Sequence, residues 1–183
     1  MDEFIKTYDR LLRTAFQSAE QHILPLQNSR EPFFHDLPHK RRFIAACHRG
    51  YEKAQNQIVQ LLRDIGDDPR LSVHEKLYRE LVLRKIVDGI ALLILHGKHH
   101  VMRRLSTQYK APRLSQQVIV PTLEEANRLN GESRQTFALL ADLTTFIHVA
   151  DILRVDFRSH PASYSLIELK SGRVNEMLLE KLE

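Results

Sequence analysis

Val149-Ala150-Asp151-Ile152-Leu153, followed after a short break by Ser163-Tyr164-Ser165-Leu166-Ile167-Glu168-Leu169-Lys170, is the stretch on which the fold turns. Residues 144–157 and 163–169 are rich in β-branched and aromatic side chains with partial alternation, and each predicts a strand. His160-Pro161-Ala162 between them suits a turn, so the two strands are expected to form an antiparallel hairpin. A helix is expected from Val174, after Gly172. Alternation along the second strand sends Glu168 and Lys170 to one face and Ile167 and Leu169 to the other.

A carboxylate and an amine on one face become a reaction centre if Asp151 lies beside them. Two carboxylates and the carbonyl of Leu169 make a hard oxygen site suited to Mg²⁺ or Mn²⁺. Phosphodiester hydrolysis needs an acidified water, a charge clamp on the phosphate and help for the leaving oxygen, which metal ions and a nearby amine supply. Asp156 competes with Asp151 for the role; at an odd offset, it faces the other side of a regular strand. The plainer reading of Glu-x-Lys is a solvated charge pair on an exposed strand face.

Together, Asp151 within an apolar strand and the exit Glu168-Leu169-Lys170-Ser171-Gly172 resemble the PD-(D/E)XK nuclease superfamily over residues 132–183. The lysine-small-glycine ending is similar to the exonuclease and CRISPR-adaptation branches of that superfamily. The resemblance implies that Asp151 and Glu168 hold the metal and that Lys170 acts on the attacking water or the phosphate. It also implies a glutamate on the helix before the strands, for which Glu132 is the first candidate and Glu125 the second. The proline of the family name is absent, and Ala150 stands where glycine is frequent. The superfamily core ordinarily continues with a full helix and a further strand, whereas this chain ends at Glu183, so a fragment or a shortened core is expected.

Upstream the pattern is helical. Phe4, Tyr8, Leu11, Ala15 and Ala19 recur at steps of three and four and predict a helix over 4–23. Pro25, Pro32 and Pro38 then predict a loop to about residue 38. Ile44, Cys47, Tyr51, Ala54, Ile58, Leu61 and Ile65 form a heptad seam over 40–65, which serves an intramolecular core or a homo-oligomer contact. Ser72-Val73-His74-Glu75 is a capping box that opens a third helix, expected to be central and to end at Gly97. Thr122-Leu123-Glu124-Glu125 is a second one, predicting a helix to about residue 142 with a break at Asn130-Gly131.

Residues 89–123 contain no Asp or Glu, while Lys98, Arg103, Arg104, Lys110 and Arg113 fall among them. That stretch can track a nucleic-acid backbone or form a solvated rim on a bundle. His96, His99 and His100 have helical spacing for zinc, but Gly97 interrupts them and no second ligand pair is evident, so a phosphate contact or a surface role fits better.

The totals agree with a folded chain. Of 183 residues, 43% are apolar and 27% charged, a balance that excludes long disorder. A net charge of +4 permits nucleic-acid binding without demanding it. Cys47 stands alone, so no internal disulfide forms, and the opening Met1-Asp2-Glu3 lacks the form of a signal peptide; the cytoplasm is the expected compartment. The span 81–95 is interrupted by Arg84, Lys85 and Asp88 and falls short of a membrane helix; it is expected as a buried one. The expected class is α+β, with a helical region over 1–121 packed on a small antiparallel-hairpin core over 122–183. The expected function is a Mg²⁺- or Mn²⁺-dependent nuclease acting on DNA or on RNA. The rival expectation is a non-catalytic helical module that binds nucleic acid or protein and carries a decayed nuclease core.

Overall fold

The computed structural model describes residues 2–23, 37–95, 101, 105, 106, 114, 116–159 and 162–169. Lys170, the histidines at 96, 99 and 100, the basic residues at 98, 103, 104, 110 and 113, Pro25, Pro32, Gly97 and the helix expected from Val174 lie outside the described residues. The elements placed among the described residues are helices α1 (Asp2–Ile23), α2 (Leu37–Asp67), α3 (Val73–Ile94) and α4 (Gln116–Glu132), followed by a small sheet of β1 (Thr136–Leu140), β2 (Ile152–Asp156) and β3 (Ser163–Ile167). The class is α+β, as the sequence predicts. None of the described helices is long and apolar enough to cross a membrane.

The heptad seam of α2 is spent inside the chain, since Cys47, Tyr51, Ala54, Ile58 and Ile65 are all buried. Helix α1 lies against it so closely that a Cβ placed on Gly50 would come within 2.7 Å of the Thr14 carbonyl oxygen and 2.8 Å of that of Ala15. Only a residue without a side chain fits that crossing. Pro38 falls in the first turn of α2 rather than in the loop expected to reach it, a place where its missing N–H costs little.

Helix α3 starts as expected: Ser72 Oγ accepts from Glu75 N–H at 3.2 Å, and the Glu75 carboxylate accepts from Ser72 N–H at 3.1 Å. Its C-terminal half is core, through Leu83, Ile86, Val87, Ile90, Ala91 and Ile94. Its first turns are not: Val73, Leu77, Tyr78 and Leu81 are exposed, and the expected burial of 81–95 holds for only part of it.

The expectation of a helix from Thr122 to about residue 142, broken at Asn130-Gly131, is overturned at both ends, although the helix does stop close to the expected break. Helix α4 begins at Gln116 and contains Pro121, so Thr122 is no cap; its hydroxyl donates to the Val118 carbonyl at 2.7 Å within the helix. The boundary expected between residues 121 and 122 thus falls inside a helix. Helix α4 ends at Glu132, and Thr136-Phe137-Ala138-Leu139-Leu140 is a strand buried on both faces. A continuous apolar run carries no period of two, which is why it could pass for helix. The strand expected over 144–157 is confined to β2, and the one over 163–169 to β3.

All strand pairs are antiparallel, in the order β1-β2-β3. The register pairs Thr136 with Asp156 at one end and Leu140 with Ile152 at the other; β3 continues it with Ile152 opposite Ile167. The outer edge of β1 is closed by side-chain amides. Ala138 N–H donates to Asn130 Oδ1 at 2.7 Å, and Leu140 N–H donates to Gln55 Oε1 at 2.9 Å. Asn56 of α2 and Asn127 of α4 exchange amide hydrogen bonds at 2.9 and 2.8 Å. Helices α2 and α4 therefore hold the sheet edge with groups that mimic a fourth strand.

Candidate active site

Asp151 sits one residue before β2, where the backbones of β1 and β3 both reach it. Its carbonyl accepts from Ala141 N–H at 2.8 Å, and its own N–H donates to the Ile167 carbonyl at 3.1 Å. Its carboxylate then accepts from Leu169 N–H at 2.5 Å. Asp151 and the Glu168-Leu169 segment are thus in direct contact. The register that places Ile152 opposite Ile167 brings Glu168 beside Asp151 at the end of the ladder. Glu168 is exposed, and it forms no hydrogen bond or ion pair among the described residues.

Glu132 goes elsewhere. It closes α4 at the end of the sheet where Thr136 faces Asp156, four residues along β1 from Leu140, or roughly 13 Å at strand rise. There it pairs with Arg128 at 2.8 Å and Arg154 at 3.3 Å. Glu125 pairs with Arg128 at 2.7 Å. Asp156 is held by Arg158 at this same end, whose guanidinium keeps its carboxyl below the usual range. Glu132, Glu125 and Asp156 belong to an arginine-rich cluster and do not join Asp151.

Asp142 does approach it. After β1 the chain makes one 3-10 turn over Ala141–Leu143, bonded through Ala141 to the Asp151 backbone. The half-buried Asp142 carboxyl is pushed above its ordinary range, first by burial and then by the charge of Asp151, with Arg84 and His148 opposing. His148 comes from the same connection. Its Nδ1 is buried with no hydrogen-bond partner among the described residues, while its backbone N–H donates to the Leu105 carbonyl at 3.2 Å. Neither residue was placed from sequence, because Asp142 fell at the end of an expected helix and His148 inside the strand expected over 144–157, whereas both lie in the connection between β1 and β2.

Helix α3 frames this connection. Asp88 accepts from Thr145 N–H at 2.7 Å and from its hydroxyl at 2.6 Å. Lys85 Nζ donates to Asp88 at 2.8 Å and to the Thr145 hydroxyl at 2.9 Å. Arg84, only 3% exposed, pairs with Glu80 at 3.0 Å; burial draws its pKa down while the charges of Glu80, Asp142 and Asp88 oppose that. A cation under the Asp142 side of the site offsets part of the repulsion between the two aspartates.

No family model, curated protein or solved structure matches this chain. Residue chemistry alone carries the assignment. Two neighbouring aspartates and an orphaned imidazole nitrogen fit a divalent cation in kind, because hard cations take carboxylate oxygens and Mn²⁺ also accepts imidazole. Among the described residues, no three His, Cys, Asp or Glu side chains gather closely enough to hold a metal ion.

Proposed function

We propose that the chain is a metal-dependent nuclease hydrolysing phosphodiester bonds of DNA, or of RNA, in the cytoplasm. The observation that supports this best is the Leu169 N–H to Asp151 carboxylate bond, because it joins the acid just before β2 to the Glu168-Leu169 segment just after β3. Asp151 and Glu168 would hold Mg²⁺ or Mn²⁺, with Asp142 as a further carboxylate beside them. The cation supplies charge for the phosphate and a more acidic water. Lys170 would orient or deprotonate that water.

Purified protein with Mg²⁺ or Mn²⁺ is expected to cut a DNA or RNA panel. Lys170→Ala should lower kcat by at least about 100-fold, within the range for removing a positioned acid-base group, and leave the melting temperature unchanged. Cutting that survives Lys170→Ala and Asp151→Asn together ends the assignment. The absence of a three-ligand group among the described residues favours a second reading, a non-catalytic helical module that binds nucleic acid or protein and carries a decayed core. Nucleic-acid binding unaffected by Mn²⁺, with no cutting, would select it.

A further inference from the structure

We infer that Asp88 of α3 is a positioning residue for the nuclease site, so that the helical region sets the geometry of the reaction centre as well as packing against it; this rests on the nuclease reading above. A path of hydrogen bonds, linked through the backbone of Thr144-Thr145 and of Ala141, leads from the helix to Asp151. Asp88 takes both the N–H and the hydroxyl of Thr145, at 2.7 and 2.6 Å. The adjacent Thr144 donates its hydroxyl to the Ala141 carbonyl at 2.7 Å and accepts the Ile147 N–H at 2.8 Å. Ala141 N–H then holds the Asp151 carbonyl at 2.8 Å.

The residues between these anchors are Asp142 and Leu143 on one side and Phe146 to Ala150 on the other. The connection that carries Asp142 and His148 is therefore fixed at Ala141, at Thr144-Thr145, at His148 through the Leu105 carbonyl, and at Asp151. Thr144-Thr145 is the anchor tied to α3, through the Asp88 clamp and a 3.5 Å bond from Arg84 to the Thr144 carbonyl. Asp88 is 15% exposed and Lys85 55% exposed, so the clamp lies at the surface of the core and its removal leaves no unpaired charge deep inside.

The test separates position from charge. Asp88→Ala removes both bonds to Thr145. Asp88→Asn keeps a carbonyl for the Thr145 N–H and turns an N–H toward its hydroxyl oxygen, while losing the charge. Three quantities are measured on the full chain: Mn²⁺ affinity without nucleic acid, kcat and KM for a cut DNA. Asp88→Ala is expected to weaken Mn²⁺ binding and lower kcat, each about tenfold or more, a size typical of losing a partner that orients a ligand. KM should stay within about twofold of the parent, because the substrate surface is untouched. Asp88→Asn should restore most of both losses.

Wild-type Mn²⁺ binding and kcat in Asp88→Ala would overturn the inference, and so would an Asp88→Asn protein as impaired as Asp88→Ala. If the parent protein itself neither binds Mn²⁺ nor cuts, the nuclease reading fails and takes this one with it.

Discussion

Replacing Gln55 by alanine removes a side chain of α2 that is hydrogen-bonded to the outer edge of β1, and the cost can be worked from the structure. Gln55 is fully buried, and its Oε1 takes the Leu140 N–H at 2.9 Å. Its Nε2 also reaches the Ala138 carbonyl at 3.4 Å, but that oxygen keeps a better donor in Asn130 at 3.1 Å. The truncation therefore orphans one buried N–H, for about 1–3 kcal/mol. Lost packing around a buried side chain adds about another 1 kcal/mol. A total near 2–4 kcal/mol is expected, a large share of the roughly 5–15 kcal/mol that holds a domain together. Urea unfolding followed by circular dichroism should show a lower midpoint and a single transition, because α2 and the sheet share one buried cluster. Gln55→Glu should not rescue it, since its second oxygen would face the Ala138 carbonyl. A loss under about 0.5 kcal/mol, the scale of a surface change, would refute the claim that this amide closes the strand edge.

Two further outcomes are expected. Gly50→Ala should destabilise the chain by about 1–3 kcal/mol in the same unfolding assay, because the new methyl meets two backbone oxygens that can yield only if α1 and α2 separate; unchanged or raised stability would contradict the close crossing. His48 is buried, and burial holds its imidazole below the ordinary value of 6.5, aided by the charge of Arg134 and opposed by a backbone bond at Thr136. The unfolded chain then takes up a proton that the folded one refuses, so the stability tied to His48 is complete above pH 6.5 and is lost as pH falls below it, by up to about 1.4 kcal/mol per pH unit. Unfolding midpoints from pH 7.5 to 5 should fall less steeply in His48→Gln than in the parent, and parallel slopes would rule out His48 as the cause.

The helices were legible because each carries a periodic stripe or a cap whose physics is local. Tyr51, Ala54 and Ile58 recur at helical steps, and Ser72 with Glu75 closes a ring of hydrogen bonds within four residues. Two features defeated that logic. Thr122 to Glu125 reads as a helix start, yet α4 begins earlier, at Gln116, and carries Pro121 inside it. Residues 136–140 are buried on both faces, so no alternation marks them as strand. Missing that strand also hid the turn that delivers Asp142, and placed Glu132 near Asp151 along the chain when the strand register carries it to the opposite end of the sheet.

The hairpin itself was legible for a different reason. Asp151 and Glu168 flank the paired ends of two neighbouring antiparallel strands, so their meeting depends on one register. Everything that steadies this meeting is non-local. Three strands of five residues each are too small a sheet to hold a register in water unaided. Here Gln55 and Asn130 complete the outer edge of β1, His48 and Tyr51 set ring edges against Phe137 at centroid distances of 5.4 and 5.6 Å, and Asp88 ties down the connection to Asp151. Each of these contacts joins residues far apart in sequence or types that read as ordinary helix surface. Two strands and their register bring Asp151 and Glu168 together, whereas the contacts that hold the sheet and its connection in place come from α2, α3 and α4.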